Sequence, residues 1–138
     1  MTREEEAIIL KALFEIGSLP VQERFDRYGK LLYLDAWEHL PVKNHLPPEI
    51  GARFKTEKQW RSLGFFLNKD ARAVYMHQSA MAKNTIPYYH ESEVNPRVPF
   101  GEAEREKYER RQSDLIERLR VSTGHGGLKA VYPHHYSY

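Results

Sequence analysis

Nine residues between Lys58 and Arg97 combine positive charge with flat rings: Lys58, Trp60, Arg61, Lys69, Arg72, Tyr75, Tyr88, Tyr89 and Arg97. Phe66 and Lys83 lie among them. A ring offers a π face on which a base can stack, contributing about 1–3 kcal/mol per base, and cations track the phosphate backbone. This mixture suits single-stranded nucleic acid. Tyrosine and arginine are also common anchors of protein interfaces. The competing structural use is that Trp60, Phe65 and Tyr75 fill a core while the cations solvate a sheet.

Other chemistry finds less support in the spacing. Seven histidines, His39, His45, His77, His90, His125, His134 and His135, could supply metal ligands. No HExxH or HxxxH pair places two of them on one helical turn. His134 and His135 are adjacent, so a strand would send them to opposite faces. A site built from His125, His134 or His135 with a carboxylate would make the chain a small metal-dependent hydrolase acting through its tail. Surface or capping histidines are the simpler reading, and neither metal nor cofactor is expected. Gly124-His-Gly-Gly127 could aim backbone donors at an anion, but it follows a helix instead of leading into one. No serine sits in a Gly-x-Ser-x-Gly elbow. Glu91 and Glu93, placed on one face of a strand, would allow acid/base work, and a solvated strand edge explains them more simply. No catalytic residue is assigned, and a non-enzymatic protein is expected.

Composition bounds the classes. The chain has 138 residues, of which 41% are hydrophobic and 29% charged, which fits one folded domain. It contains no cysteine, so disulfides, thiolate nucleophiles and cysteine-ligated zinc are excluded. Lys and Arg number 21 against 19 Asp and Glu, a net charge of +2 that does not by itself indicate nucleic acid. No apolar run reaches the roughly 18 residues of a membrane span. The start Met-Thr-Arg-Glu-Glu-Glu carries acid where an export signal carries base, so a cytoplasmic location is expected.

The elements that would position these residues can be read from caps and periodicity. Thr2-x-x-Glu5 is a capping box, opening a helix over 3–16. Ile9, Leu10, Leu13 and Ile16 share its apolar face, widened by Phe14, and Gly17 supplies a stop. A second helix begins near Pro20, with Val21, Phe25, Tyr28, Leu32 and Ala36 at helical spacing, and ends at Pro41. Together, residues 1–40 form a helical hairpin. A proline-rich loop follows, with at most one helical turn at Glu49 to Arg53. Thr56-x-x-Gln59 is another capping box, and Gly64 ends its short helix.

Phe65 to Leu67 and Ala71 to His77 read as a hairpin around Asn68-Lys69-Asp70. Ser79 to Thr85 reads as a polar loop. Ile86 to Glu91 reads as a third strand, which Pro87 assigns to an edge. A long helix spans 101–120, with a solvated first half and a stripe of Tyr108, Leu115, Ile116 and Leu119. A Gly/His/Tyr-rich tail occupies 121–138, within which 128–132 could add a strand.

Two resemblances bear on function. Ile9 to Glu23 resembles the first helix and turn of winged-helix regulators, but the second helix then runs through apolar Leu31-Leu-Tyr-Leu34, unlike a groove reader. Residues 56–94 resemble the N-terminal domain of plasmid and phage anti-restriction proteins of the ArdC type. Trp60, Leu63, Gly64, Lys69, Val74, Tyr75, Tyr88, Tyr89 and Val94 carry the match. Asp70 stands where that family's turn usually has glycine, and the family's HExxH-bearing second domain has no counterpart. The resemblance implies single-stranded DNA binding and a mobile-element origin.

The sequence therefore predicts a single α+β domain, three main helices packed on a small antiparallel sheet. Its expected role is that of a phage- or plasmid-type accessory protein with an anti-restriction or anti-defence function, binding nucleic acid through the basic-aromatic surface. The alternative is an inhibitor of a host restriction or CRISPR complex acting by protein contacts.

Overall fold

A computed structural model describes residues 2–16, 45–77, 85–122 and 127–128. The helix expected from Pro20, the loop over 79–84, most of the tail strand, and Gly17, His39, Lys83, His125, His134 and His135 lie outside the described residues. The elements run α1 (Arg3–Ile16), α2 (Pro48–Gly51), β1 (Phe54–Lys55), α3 (Glu57–Ser62), β2 (Phe65–Leu67), β3 (Val74–Met76), β4 (Ile86–His90), a 3₁₀ turn (Glu91–Glu93), β5 (Val94–Pro96) and α4 (Glu102–Ser122). The described residues form a mixed α/β arrangement with small antiparallel sheets and four helices, two of them long.

Local chemistry explains the helix starts. The Glu5 amide donates to Thr2 Oγ1 at 3.1 Å, and the Thr2 amide donates to Glu5 Oε1 at 3.2 Å. The same reciprocal pair, Gln59 N–H to Thr56 Oγ1 at 3.2 Å and Thr56 N–H to Gln59 Oε1 at 2.9 Å, opens α3. Both boxes satisfy donors that a helix start leaves unpaired. Gly64 stops α3 with φ of +88°, in the left-handed region that a side chain disfavours.

The strand pairing differs from the sequence expectation. Residues 65–77 do not form a hairpin. β2 pairs antiparallel with β5, Phe66 opposite Asn95, while β3 pairs with β4, Val74 opposite Tyr88. The two-residue β1 pairs with the other side of β4, giving the order β1-β4-β3. Pro87 thus sits in the central strand and not at an edge. The register explains the tolerance: β1 reaches only Tyr89 and His90, so at Pro87 the strand has one neighbour and loses no ladder bond on the open side.

Two apolar clusters result. The first joins Ile9 and Leu13 of α1 to Leu46, Ile50, Phe54, Val74, Met76, Tyr88 and Leu128. The second, Trp60, Phe65 and Val94, is backed by Leu63, Leu67, Tyr89, Phe100 and Tyr108. Residue parity decides membership: Val74 and Met76 point inward and Tyr75 outward. α4 contributes half-buried Leu115, Ile116 and Leu119 as expected, but its most buried residue is Gln112, 2% exposed. Among the described residues no helix is long and apolar enough to cross a membrane.

Candidate nucleic-acid interface

The nine candidates divide into three groups. Trp60 and Tyr88 are core. Trp60 has no exposed surface, and its Nε1–H donates to the Tyr89 carbonyl at 2.8 Å, fixing α3 against β4. Tyr88 is 4% exposed, and burial raises its phenol pKa. Neither ring can stack on a base, so both are removed from the interface. Their position explains this: Trp60 sits on the one α3 face that meets the sheets, and Tyr88 shares the inward face of its strand pair with Val74.

Arg72 and Tyr89 belong to a second group, each tied to its surroundings. The Arg72 guanidinium lies 4.6 Å from the centre of the Phe14 ring and pairs with Glu93 at 3.3 Å, which secures α1 to the 3₁₀ turn. Tyr89 is half-buried against the second cluster, with its pKa raised by burial and by the charge of Glu57.

A third group, Lys58, Arg61, Lys69, Tyr75 and Arg97, is exposed, Tyr75 by 38% on the outward side of β3, and here one more residue matters. Phe66 is 44% exposed, and the Arg61 and Arg97 guanidinium carbons lie 6.0 Å and 5.8 Å from its ring centre. Short-range geometry sets this trio. Arg61 is in the last turn of α3, Gly64 turns the chain, and Phe66 follows on the outward side of β2. The Arg97 amide donates to the Gly64 carbonyl at 2.7 Å, so the end of β5 is clamped beside the same turn. Asn95 and Asn68 side chains hydrogen-bond across the ribbon. Glu57 approaches Arg61 at 3.5 Å, but both side chains stay substantially exposed, so water screens the pair. The trio offers a face for stacking and two forked donors for phosphate.

Sequence reading missed two polar clusters, one buried and one half-buried. Lys55 is 9% exposed; its Nζ donates to the Ala52 carbonyl at 2.6 Å and to Gln112 Oε1 at 3.0 Å, and lies 4.9 Å from the Trp60 ring centre. Desolvation pushes its pKa down to about 8, the Glu91 charge opposing and the Arg53 charge adding to the effect. Gln112 Nε2 also donates to Ala52 O at 3.2 Å. One signal was present: four residues after Tyr108, the apolar stripe of α4 lands on Gln112.

The other cluster centres on Glu91. Its Oε1 accepts from Arg53 at 2.6 Å and its Oε2 from the Tyr108 hydroxyl at 2.8 Å. Burial and the Glu91 charge raise the Tyr108 pKa strongly, so the phenol remains a donor. Glu91 and Glu93 therefore do not share a strand face. They lie in the 3₁₀ turn and hold different partners, Arg53 with Tyr108 and Arg72, respectively. His90 caps this turn: its Nδ1 accepts the Ser92 amide at 3.2 Å, and its ring meets Phe54 at 5.0 Å between centres. Burial lowers the His90 pKa. Among the described residues no three His, Cys, Asp or Glu side chains converge to hold a metal ion.

No family model, curated protein or solved structure matches this chain.

Proposed function

We propose that this protein binds single-stranded nucleic acid through the Arg61–Phe66–Arg97 trio, with Lys58 and Lys69 extending the positive surface. The observation that supports this reading is an aromatic ring left 44% exposed with two guanidinium groups within 6.0 Å of its centre. A base stacks on Phe66, and the two arginines engage the flanking phosphates. In a duplex the bases are already stacked on each other, so an exposed ring favours a single strand. The protein acts here as a non-enzymatic, cytoplasmic accessory factor, and the ArdC-like resemblance of 56–94 adds an anti-restriction role.

The test compares labelled single strands with duplexes. Replacing Phe66→Ala is expected to weaken single-strand binding by about 1–3 kcal/mol, roughly 5- to 150-fold. Unchanged affinity overturns the proposal. A protein-target reading draws on one observation, Val98, 69% exposed beside Arg97. Capture of a stoichiometric partner complex that Val98→Asp abolishes, with no nucleic acid bound, would replace the leading reading.

A further inference from the structure

A cleft of about 370 Å³ lies between the first half of α4 and the 90–100 segment. Its volume is within the range of small-ligand sites, roughly 300–1,000 Å³. Phe65, Phe100 and Tyr108 build its apolar wall, with ring centres 5.3 Å, 5.3 Å and 6.3 Å apart. Arg105, Tyr108 and Glu109 lie on one α4 face, at the helical spacing of three and four, so the helix presents a donor, a ring and an acceptor together.

The polar groups are prepared for a ligand with both donors and acceptors. Glu91 is held by Arg53 and Tyr108 through one bond to each oxygen. A carboxylate has about four lone-pair sites, so two remain. Glu109 stands 3.8 Å from Arg53 with its side chain 55% exposed, and it too keeps accepting capacity toward the cleft. Arg105 supplies the opposite chemistry, a fork of N–H donors.

We propose that this cleft binds a guanine base. Guanine carries N1–H and N2–H₂ donors on one edge, which meet the Glu109 carboxylate, and O6 and N7 acceptors on another, which meet Arg105. The ring lies against Phe100 and Tyr108. Adenine reverses the pattern: its N1 acceptor faces the carboxylate, and its N6 amine faces the guanidinium. A site built on hydrogen bonds rejects such an analogue because its own polar groups are left unpaired. The base comes either from a free guanine nucleotide or from a strand already held at Phe66. The cleft and Phe66 lie on opposite sides of the β2–β5 ribbon, since Phe65 lines one and Phe66 stands on the other.

The full chain is titrated by calorimetry with guanosine and adenosine monophosphates, then with thymidine oligomers carrying one central guanine or adenine. Guanine is expected to bind about tenfold or more tighter than adenine in at least one series. Preference in the mononucleotide series identifies a free nucleotide as the source, and preference confined to the oligomers identifies the strand. Glu109→Ala and Arg105→Ala, both at exposed positions that leave the fold intact, should each abolish the preference. Equal affinity for the two bases in both series, or a preference untouched by Glu109→Ala, overturns the assignment. Phe66→Ala separates this proposal from the preceding one: it should weaken all oligomers alike and leave the mononucleotide preference unchanged.

Discussion

Lys55 gives the sharpest physical test of the fold. Its ammonium group is enclosed by the Ala52 carbonyl, the Gln112 amide and the Trp60 ring, with its pKa lowered from 10.5 to about 8. The unfolded chain thus holds this proton more tightly than the folded chain does. Stability attributable to Lys55 is lowest below the folded pKa and rises with pH between the two values, because the unfolded state binds more protons there. From about pH 7 to about pH 10, the two pKa values give a gain of about 2–3 kcal/mol. The perturbation is Lys55→Met, which keeps the unbranched stem and removes the titrating group. Near neutral pH the variant should match the parent within about 1–3 kcal/mol, since relief of the buried charge is offset by a Gln112 oxygen left without its donor.

Urea unfolding, followed by tryptophan fluorescence, would compare the two chains across this range. The raised tyrosine pKa values of Tyr88, Tyr89 and Tyr108 cause stability to fall above about pH 10, but both chains share them and the difference removes them. The parent should gain on the variant by about 2–3 kcal/mol as pH rises. Parallel curves, differing by less than about 0.5 kcal/mol in slope over the range, would refute the burial argument.

Two further outcomes follow from local geometry. Gly64→Ala meets no atom within 4 Å, so its cost is backbone strain alone at φ +88°, about 1–2 kcal/mol by denaturation; a neutral result would contradict the left-handed stop. Glu91→Ala removes the acceptor of both Arg53 and Tyr108 and should cost about 2–3 kcal/mol, whereas Glu93→Ala, whose Arg72 partner is largely exposed, should cost under about 1 kcal/mol.

The described helices were legible because their signals are local. Thr2 with Glu5, Thr56 with Gln59, and Gly64 each act within a few residues, and the apolar spacing of α1 named Ile9 and Leu13 correctly. The sheets were not legible, since their strands are two to five residues long and β2 finds its partner β5 across a long intervening segment. A three-residue strand has no alternation to read, so Phe65 and Phe66 look alike in sequence, yet one is 7% exposed and the other 44%. The same limit hid which candidates are buried. Trp60 and Tyr88 entered the candidate set as surface rings and are core, because burial depends on which strand pairs with which. The Lys55–Gln112 contact spans 57 positions, and only the break in the α4 stripe hinted at it.

The most direct test of the central claim is fluorescence anisotropy of labelled single-stranded DNA, duplex DNA and RNA at two salt concentrations, for the parent chain, Phe66→Ala, and a joint Arg61→Ala and Arg97→Ala variant. The account predicts tighter binding of single strands, a loss of roughly 5- to 150-fold on removing the ring, and a salt slope smaller by about 1–2 when both arginines are removed. Affinity and salt slope that stay the same in all three proteins would contradict it.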